Sequence, residues 1–215
     1  ESESIQVAKE YIQEAISEHF KLIMIRPDRV ALAKEMIDKA HSNVQIGTVI
    51  GCPEGTASIN EKLKEANQAI QDGADDLDFV CNYEAFKNDD VALVKNEILA
   101  GTALGLKNNK VVKWIIEVAA LNETQIIQLS ALIKNIVISN FEEENYASVF
   151  VKSSTGFYTT ENNLPNGATI STITLMLENA SPLPVKAAGG VRTYEEAVEM
   201  IRLGVKRIGT SGAKA

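Results

Sequence analysis

The sequence predicts an α/β fold, a (β/α)8 TIM barrel that in this chain lacks its first strand and its last helix. Three observations predict it. Short β-branched runs alternate with longer amphipathic stretches along the whole chain, the pattern of βα repeats on a parallel sheet. No Pro- or Ser-rich linker and no charge run divides residues 1–215, so a single domain is expected. Charged residues lie inside or at the ends of several apolar runs, and barrels gather polar chemistry at the C-terminal ends of their strands. An open doubly wound sheet is the competing architecture. It gives no reason for charge on so many strands.

The elements follow in order. Residues 4–19 read as a helix with Ile5, Ala8, Ile12, Ala15, Ile16 and Phe20 on one face. Leu22 to Ile25 is a buried strand, and Pro27 opens a helix running through Asp28 to Ala40. Val44 to Ile50 is the next strand. Ser58 and Glu61 have capping-box spacing, and Gly73 stops the helix they begin. Leu77 to Cys81 is a strand and Asp90 to Leu106 a helix. Lys110 to Val118 reads as the longest strand, followed by a helix from the N-cap Asn122 to about Ile136. Ser148 to Lys152 is a strand, Thr169 to Asn179 a helix and Pro184 to Ala187 a strand. Thr193 and Glu196 form a second capping box on a helix ended by Gly204, and Arg207 to Thr210 is the last strand. A (β/α)8 barrel takes about 250 residues. The chain has 215, begins with Glu1 rather than Met and stops at Ala215, so an incomplete copy with terminal segments missing or disordered is expected.

Composition narrows the functional classes. With 21 basic and 29 acidic residues the net charge is -8, and the pI is about 4.9. Such a surface repels nucleic acid and anionic membranes, so an anionic ligand must be held by local donors. No run reaches the roughly 18 apolar residues of a membrane span, and the amphipathic, acidic first segment is unlike a targeting peptide. Cys52 and Cys81 are unclustered, which fits a reduced, cytoplasmic protein with small apolar residues at strand ends. His19 and His41 fall near predicted helix C-termini as solvated caps, with no ligand company, so no metal site is expected.

Charge in a buried strand is costly unless paired or useful. Asp78 lies within Asp76-Leu77-Asp78-Phe79-Val80. Lys113 and Glu117 share a face of the strand predicted over 110–118, because residues four apart point the same way. Lys152 closes Val149-Phe150-Val151-Lys152, and Lys186 closes Pro184-Val185-Lys186. Ion pairs at the rim, with each lysine snorkelling to water, would explain any one of them. The whole set, with glycine-rich turns after two of the lysines, points to a nucleophilic lysine. An amine attacks a carbonyl only when neutral, and at a free pKa of about 10.4 roughly one in 2,500 is neutral at pH 7. Desolvation and a second cation both depress that value, and two lysines on adjacent strand ends supply both. Asp78 would move protons beside them. The turns at Gly156, at Gly189-Gly190 and at Gly209-Thr210-Ser211-Gly212 offer backbone N–H groups of the kind that bind phosphate after late barrel strands.

At these residues the chain resembles the deoxyribose-phosphate aldolases, class I enzymes that work through a Schiff base. The most specific match is Phe150-Val151-Lys152-Ser153-Ser154-Thr155-Gly156-Phe157. Val185-Lys186-Ala187-Ala188-Gly189-Gly190-Val191-Arg192-Thr193 and Arg207-Ile208-Gly209-Thr210-Ser211 follow it closely. Gly73-Ala74-Asp75-Asp76-Leu77-Asp78 and Val112-Lys113-Trp114-Ile115-Ile116-Glu117 fit in order. The resemblance implies reversible cleavage of 2-deoxy-D-ribose 5-phosphate to D-glyceraldehyde 3-phosphate and acetaldehyde. It assigns the imine to Lys152, the lowering of that amine's pKa to Lys186, proton relay to Asp78 and support to Lys113. Gly156, Gly189, Gly190 and Ser211 would hold the phosphate. It implies no metal or organic cofactor, a cytoplasmic enzyme of deoxynucleoside catabolism, and frequent homodimers. The chain departs from the family pattern at three places. The first strand has no counterpart, position 157 is Phe where some members carry a phosphate-facing Lys, and position 212 is Gly where a second Ser is common. Two other readings use the same residues: a Schiff-base aldolase for a different phosphorylated sugar, or a non-catalytic barrel that binds a sugar phosphate. The second has no need of Lys152, Lys186 and Asp78 together.

Overall fold

A computed structural model of the chain describes residues 2–161 and 164–213. Glu1 and Ala215 lie outside the described residues. Helix α1 spans Ser2–Ser17, and β1 spans Leu22–Ile25. Pro27 opens a 3-10 turn, Pro27–Arg29, rather than the predicted α-helix, and α2 begins only at Val30 and ends at Lys39. Then follow β2 at Gln45–Ile50, α3 at Ile59–Gln71 and β3 at Asp76–Val80. A five-residue helix α4, Tyr83–Lys87, is capped by Asn82 and has no counterpart in the sequence reading. Next come α5 at Val91–Lys107, β4 at Val111–Ile115, α6 at Glu123–Asn140 and β5 at Val149–Lys152. Helix α7 covers Ile170–Ala180, β6 Val185–Ala188, α8 Tyr194–Leu203 and β7 Arg207–Gly209.

The local signals act as predicted. Ser58 with Glu61 and Thr193 with Glu196 form complete capping boxes. Gly73 and Gly204, with φ of 102° and 115°, take the left-handed turns that end α3 and α8. His19 and His41, at φ of 54° and 51°, lie exposed just past α1 and α2.

The seven strands form one parallel sheet in the order β1 to β7, each paired with the next in sequence. The sheet curls into an open barrel, and among the described residues β1 and β7 are its two edges. Alternation sorts the side chains into two layers. One face contributes Ile46, Leu77, Phe79, Val112, Trp114, Val149, Val151 and Val185 to the main core beneath the helices. Trp114 stacks on Phe79 with centroids 4.9 Å apart and donates to Thr102 Oγ1 at 2.9 Å. A Cβ at Gly101 would stand 2.8 Å from the indole, so glycine is what lets α5 approach so closely. The opposite face carries the charges. In register, Asp78 pairs with Lys113 and Lys113 with Phe150, while Lys152 pairs with Lys186 and Lys186 with Arg207.

The predicted strand 110–118 is cut short. It ends at Ile115, and Glu117 adopts a left-handed conformation with φ of 53°. Glu117 therefore does not share a strand face with Lys113. Sequence alternation cannot register a single left-handed residue, because the β-branched residues Ile115, Ile116 and Val118 around Glu117 read as a continuing strand.

Candidate active site

The inner face holds a buried array of three lysines, two aspartates and one arginine. Asp78 is its centre. Lys113 Nζ donates to Asp78 Oδ1 at 2.5 Å, while Lys152 Nζ and Lys186 Nζ both donate to Oδ2, at 2.8 and 3.1 Å. Lys113 also donates to Asp76 Oδ2 at 2.6 Å, and Arg207 reaches the same oxygen from β7 at 2.5 Å. Arg207 lies over the Phe150 ring, 5.3 Å from its centroid. The side chains of Asp76, Asp78 and Lys113 have no exposure, whereas Lys152 keeps 6% and Lys186 3%. Lys152 ends β5, whereas Lys186 is the second of the four residues of β6 rather than its end, and both keep slightly more exposure than Lys113.

Charge balance shapes the ionisation of the array. Burial of Asp78 disfavours its charged form, but Lys113, Lys152 and Lys186 outweigh that penalty and hold the carboxyl well below the usual carboxylate range. Lys186 behaves oppositely. Burial, with help from Lys152 and Lys113 and against the attraction of Asp78, brings its ammonium down to about 7. Near neutral pH both its charged and its neutral form are populated.

The loops after β5, β6 and β7 converge beside the array. Ser153 Oγ donates to Ala188 O at 2.7 Å and accepts from Ala188 N at 2.9 Å, tying the β5 exit to β6. A Cβ on Gly189 would lie 3.0 Å from Ser154 Cβ, and one on Gly212 would lie 3.2 Å from Arg192 O. Gly189 and Gly190 have φ of 78° and 86°, so their turn requires glycine. No hydrogen bond among the described residues takes up the N–H of Gly189, Gly190 or Ser211. Gly156 differs, because its N–H donates to Ser154 Oγ at 2.9 Å. Val80, Tyr83 and Ile115 form a second, smaller apolar cluster, with Val49, Cys52 and Tyr158 packed against it. Tyr83 and Tyr158 meet edge to face at 6.3 Å, and burial beside Glu117 and Glu84 raises the Tyr83 phenol to about 12.

The structure therefore brings Asp78, Lys113, Lys152 and Lys186 into one cluster. Gly156, Gly189, Gly190 and Ser211 fall on the three loops beside it. Sequence reasoning missed Asp76 and Arg207 as partners, although Asp76 is two residues from Asp78 and so shares its face. Among the described residues no three His, Cys, Asp or Glu side chains are grouped as metal ligands. No described helix is long and apolar enough to cross a membrane.

A parallel βα barrel with lysines paired on adjacent strands around one carboxylate defines an enzyme of the barrel-aldolase class. Comparison with known proteins gives the family. The chain belongs to the DeoC/LacD family of aldolases, whose model matches residues 2–215. It is 39% identical over 199 residues to the deoxyribose-phosphate aldolase of Thermococcus kodakarensis, covering 92% of this chain and 82% of that one. The deoxyribose-phosphate aldolase of Caldicellulosiruptor saccharolyticus is 36% identical over 210 residues, with 96% and 87% covered. The tetrameric deoxyribose phosphate aldolase of Aeropyrum pernix superposes with a TM-score of 0.76 at 26% identity, over 94% of this chain and 78% of that one.

Proposed function

We propose that the protein reversibly cleaves 2-deoxy-D-ribose 5-phosphate to D-glyceraldehyde 3-phosphate and acetaldehyde, with Lys152 as the Schiff-base nucleophile. The observation that carries this reading is the meeting of Lys152 and Lys186 on a single oxygen of Asp78. The neutral amine of Lys152 adds to the aldehyde carbon C1, and loss of water leaves an iminium. Removal of the C3 hydroxyl proton breaks the C2–C3 bond. The bonding pair passes to C2 as an enamine on Lys152, and glyceraldehyde 3-phosphate departs. Protonation of C2 and addition of water then release acetaldehyde and restore the amine. The iminium is the electron sink, so these steps call on no organic cofactor.

The two neighbours divide the remaining work. Lys186, brought down to about 7, suits the proton traffic at the carbinolamine and at C2. Asp78 stays ionised at any working pH, which fits it to anchoring the lysines better than to carrying protons itself. Lys113 keeps Asp78 in place from below. The uncommitted N–H groups of Gly189, Gly190 and Ser211 suit the phosphate, with Gly156 lining the same side. A tetrameric relative supports self-association, and sedimentation would distinguish a tetramer from the homodimer that the family resemblance implies. The free thiols of Cys52 and Cys81 suit the cytoplasm.

Borohydride reduction in the presence of acetaldehyde, followed by peptide mapping, tests the chemistry. An ethyl group on Lys152 is expected. Its appearance on Lys186 instead, or nowhere on the folded protein, overturns the assignment. Turnover of deoxyribose 5-phosphate is then compared with that of fructose phosphates, and preference for the latter overturns the substrate.

A further inference from the structure

We infer that Glu117 is a positioning residue that holds the loop after Lys152 in its substrate-binding shape, and so sets affinity for the phosphorylated end of the substrate. The inference rests on the reaction proposed above and adds a residue to it.

Glu117 is 1% exposed, and its left-handed backbone is one that residues with a Cβ rarely adopt. Such a conformation persists only where the surroundings fix it. Here they do. Ile116 N–H donates to Lys152 O at 3.0 Å, and Val118 N–H donates to Ser153 O at 2.9 Å. The Glu117 carboxylate reaches the next two residues. Oε1 lies 2.6 Å from Ser154 Oγ, and Oε2 accepts from Thr155 N at 3.1 Å and from Thr155 Oγ1 at 2.5 Å. Four consecutive residues, Lys152 to Thr155, are therefore each gripped by the three residues centred on Glu117.

The grip is passed on. Ser154 Oγ also lies 2.7 Å from Asn166 O and accepts the Gly156 N–H, and Thr155 Oγ1 accepts the Phe157 N–H at 3.0 Å. Ser154 in turn abuts Gly189. Removing the carboxylate releases Ser154 and Thr155, and with them the wall of the turn that carries the free Gly189 and Gly190 N–H groups. Lys152 is less affected. Its carbonyl stays on Ile116 N–H and its ammonium on Asp78.

The test is a split between phosphorylated and unphosphorylated reactants. Glu117→Ala should raise KM for deoxyribose 5-phosphate about tenfold or more, while borohydride trapping of acetaldehyde on Lys152 stays within about threefold of wild type. Glu117→Gln, whose amide can accept from Thr155 and donate to Ser154, should restore KM nearly to the wild-type value. Thr155→Val, which at nearly constant volume removes the hydroxyl that donates to Glu117 and accepts from Phe157 N–H, should raise KM in the same direction. It also serves if the alanine variant does not fold. Unchanged KM in both Glu117→Ala and Thr155→Val overturns the inference, as does equal loss of trapping and of phosphate affinity. Loss of activity in Glu117→Gln as complete as in the alanine variant also overturns it. If wild type itself gives no adduct on Lys152, the Schiff-base reading fails, and KM of the variants still judges the role of Glu117.

Discussion

Lys152 and Lys186 occupy paired positions on adjacent parallel strands and donate to the same oxygen of Asp78. Two ammonium groups so placed cannot both be comfortably charged once water is excluded. The second carboxylate in the array does not relieve them, because Asp76 is committed to Lys113 and Arg207. One proton is therefore held loosely, and the lowered value of Lys186 is where this shows.

Lys186→Met should lower kcat by at least about a hundredfold, and should also make the protein more stable in mildly acidic buffer. The ammonium falls from 10.5 to about 7 on folding. Below pH 7 the folded protein carries the full cost of the buried charge. Between about 7 and 10.5 the unfolded chain holds a proton that the folded protein has released, so stability from this group rises with pH. Urea denaturation should find the variant ahead of wild type at pH 6, with the gap closing as the pH rises through that window.

Asp78→Asn should act in the opposite sense. It leaves three lysines without their shared counter-ion, and loss of one partner in a buried ionic cluster costs about 3–5 kcal/mol. Asp78 lies well below its ordinary 3.8, so its contribution is fully present above that value and is lost as pH falls through the lower, folded one. Denaturation from pH 7 downward should show the deficit narrowing only below about 4.

A second buried ion pair joins two helices. Lys62 on α3 and Glu97 on α5 meet at 2.6 Å with 0% and 1% exposure. Lys62 also donates to Val80 O at 2.8 Å, and Glu97 accepts Asn82 N–H at 2.6 Å. Lys62→Met should destabilise the protein by about 3 kcal/mol, because Glu97 is left desolvated without its cation. Adding Glu97→Gln should recover much of that loss, since the amide can still accept from Asn82. A double-mutant cycle by chemical denaturation measures the coupling, and kcat should not change.

The charges of the candidate site are legible because they interrupt apolar strands, where every polar residue demands a reason. Lys152 closes a run of apolar residues, while Lys186 and Asp78 each interrupt one. The Lys62–Glu97 pair was not legible. Lys62 stands in Glu61-Lys62-Leu63-Lys64-Glu65, which reads as an ordinary solvated helix face, and only the packing of α3 against α5 buries it. Glu117 stands out in the sequence as a charge, but alternation puts it on the wrong face, because its left-handed turn leaves no mark there. Helix α4 escaped for its brevity: five residues are too few to show a helical period.

The two-layer sheet has a consequence for how the chain finds its fold. If β6 slid by one residue against β5, Lys186 would turn out among Val151, Ile173 and Met176, and Ala187 would take its place beside Asp78. That arrangement strands an ammonium in hydrocarbon and leaves a carboxylate short of a cation, so it is rejected during assembly. The residues that would do the chemistry are also the teeth of a key that fits the strands together in one alignment only.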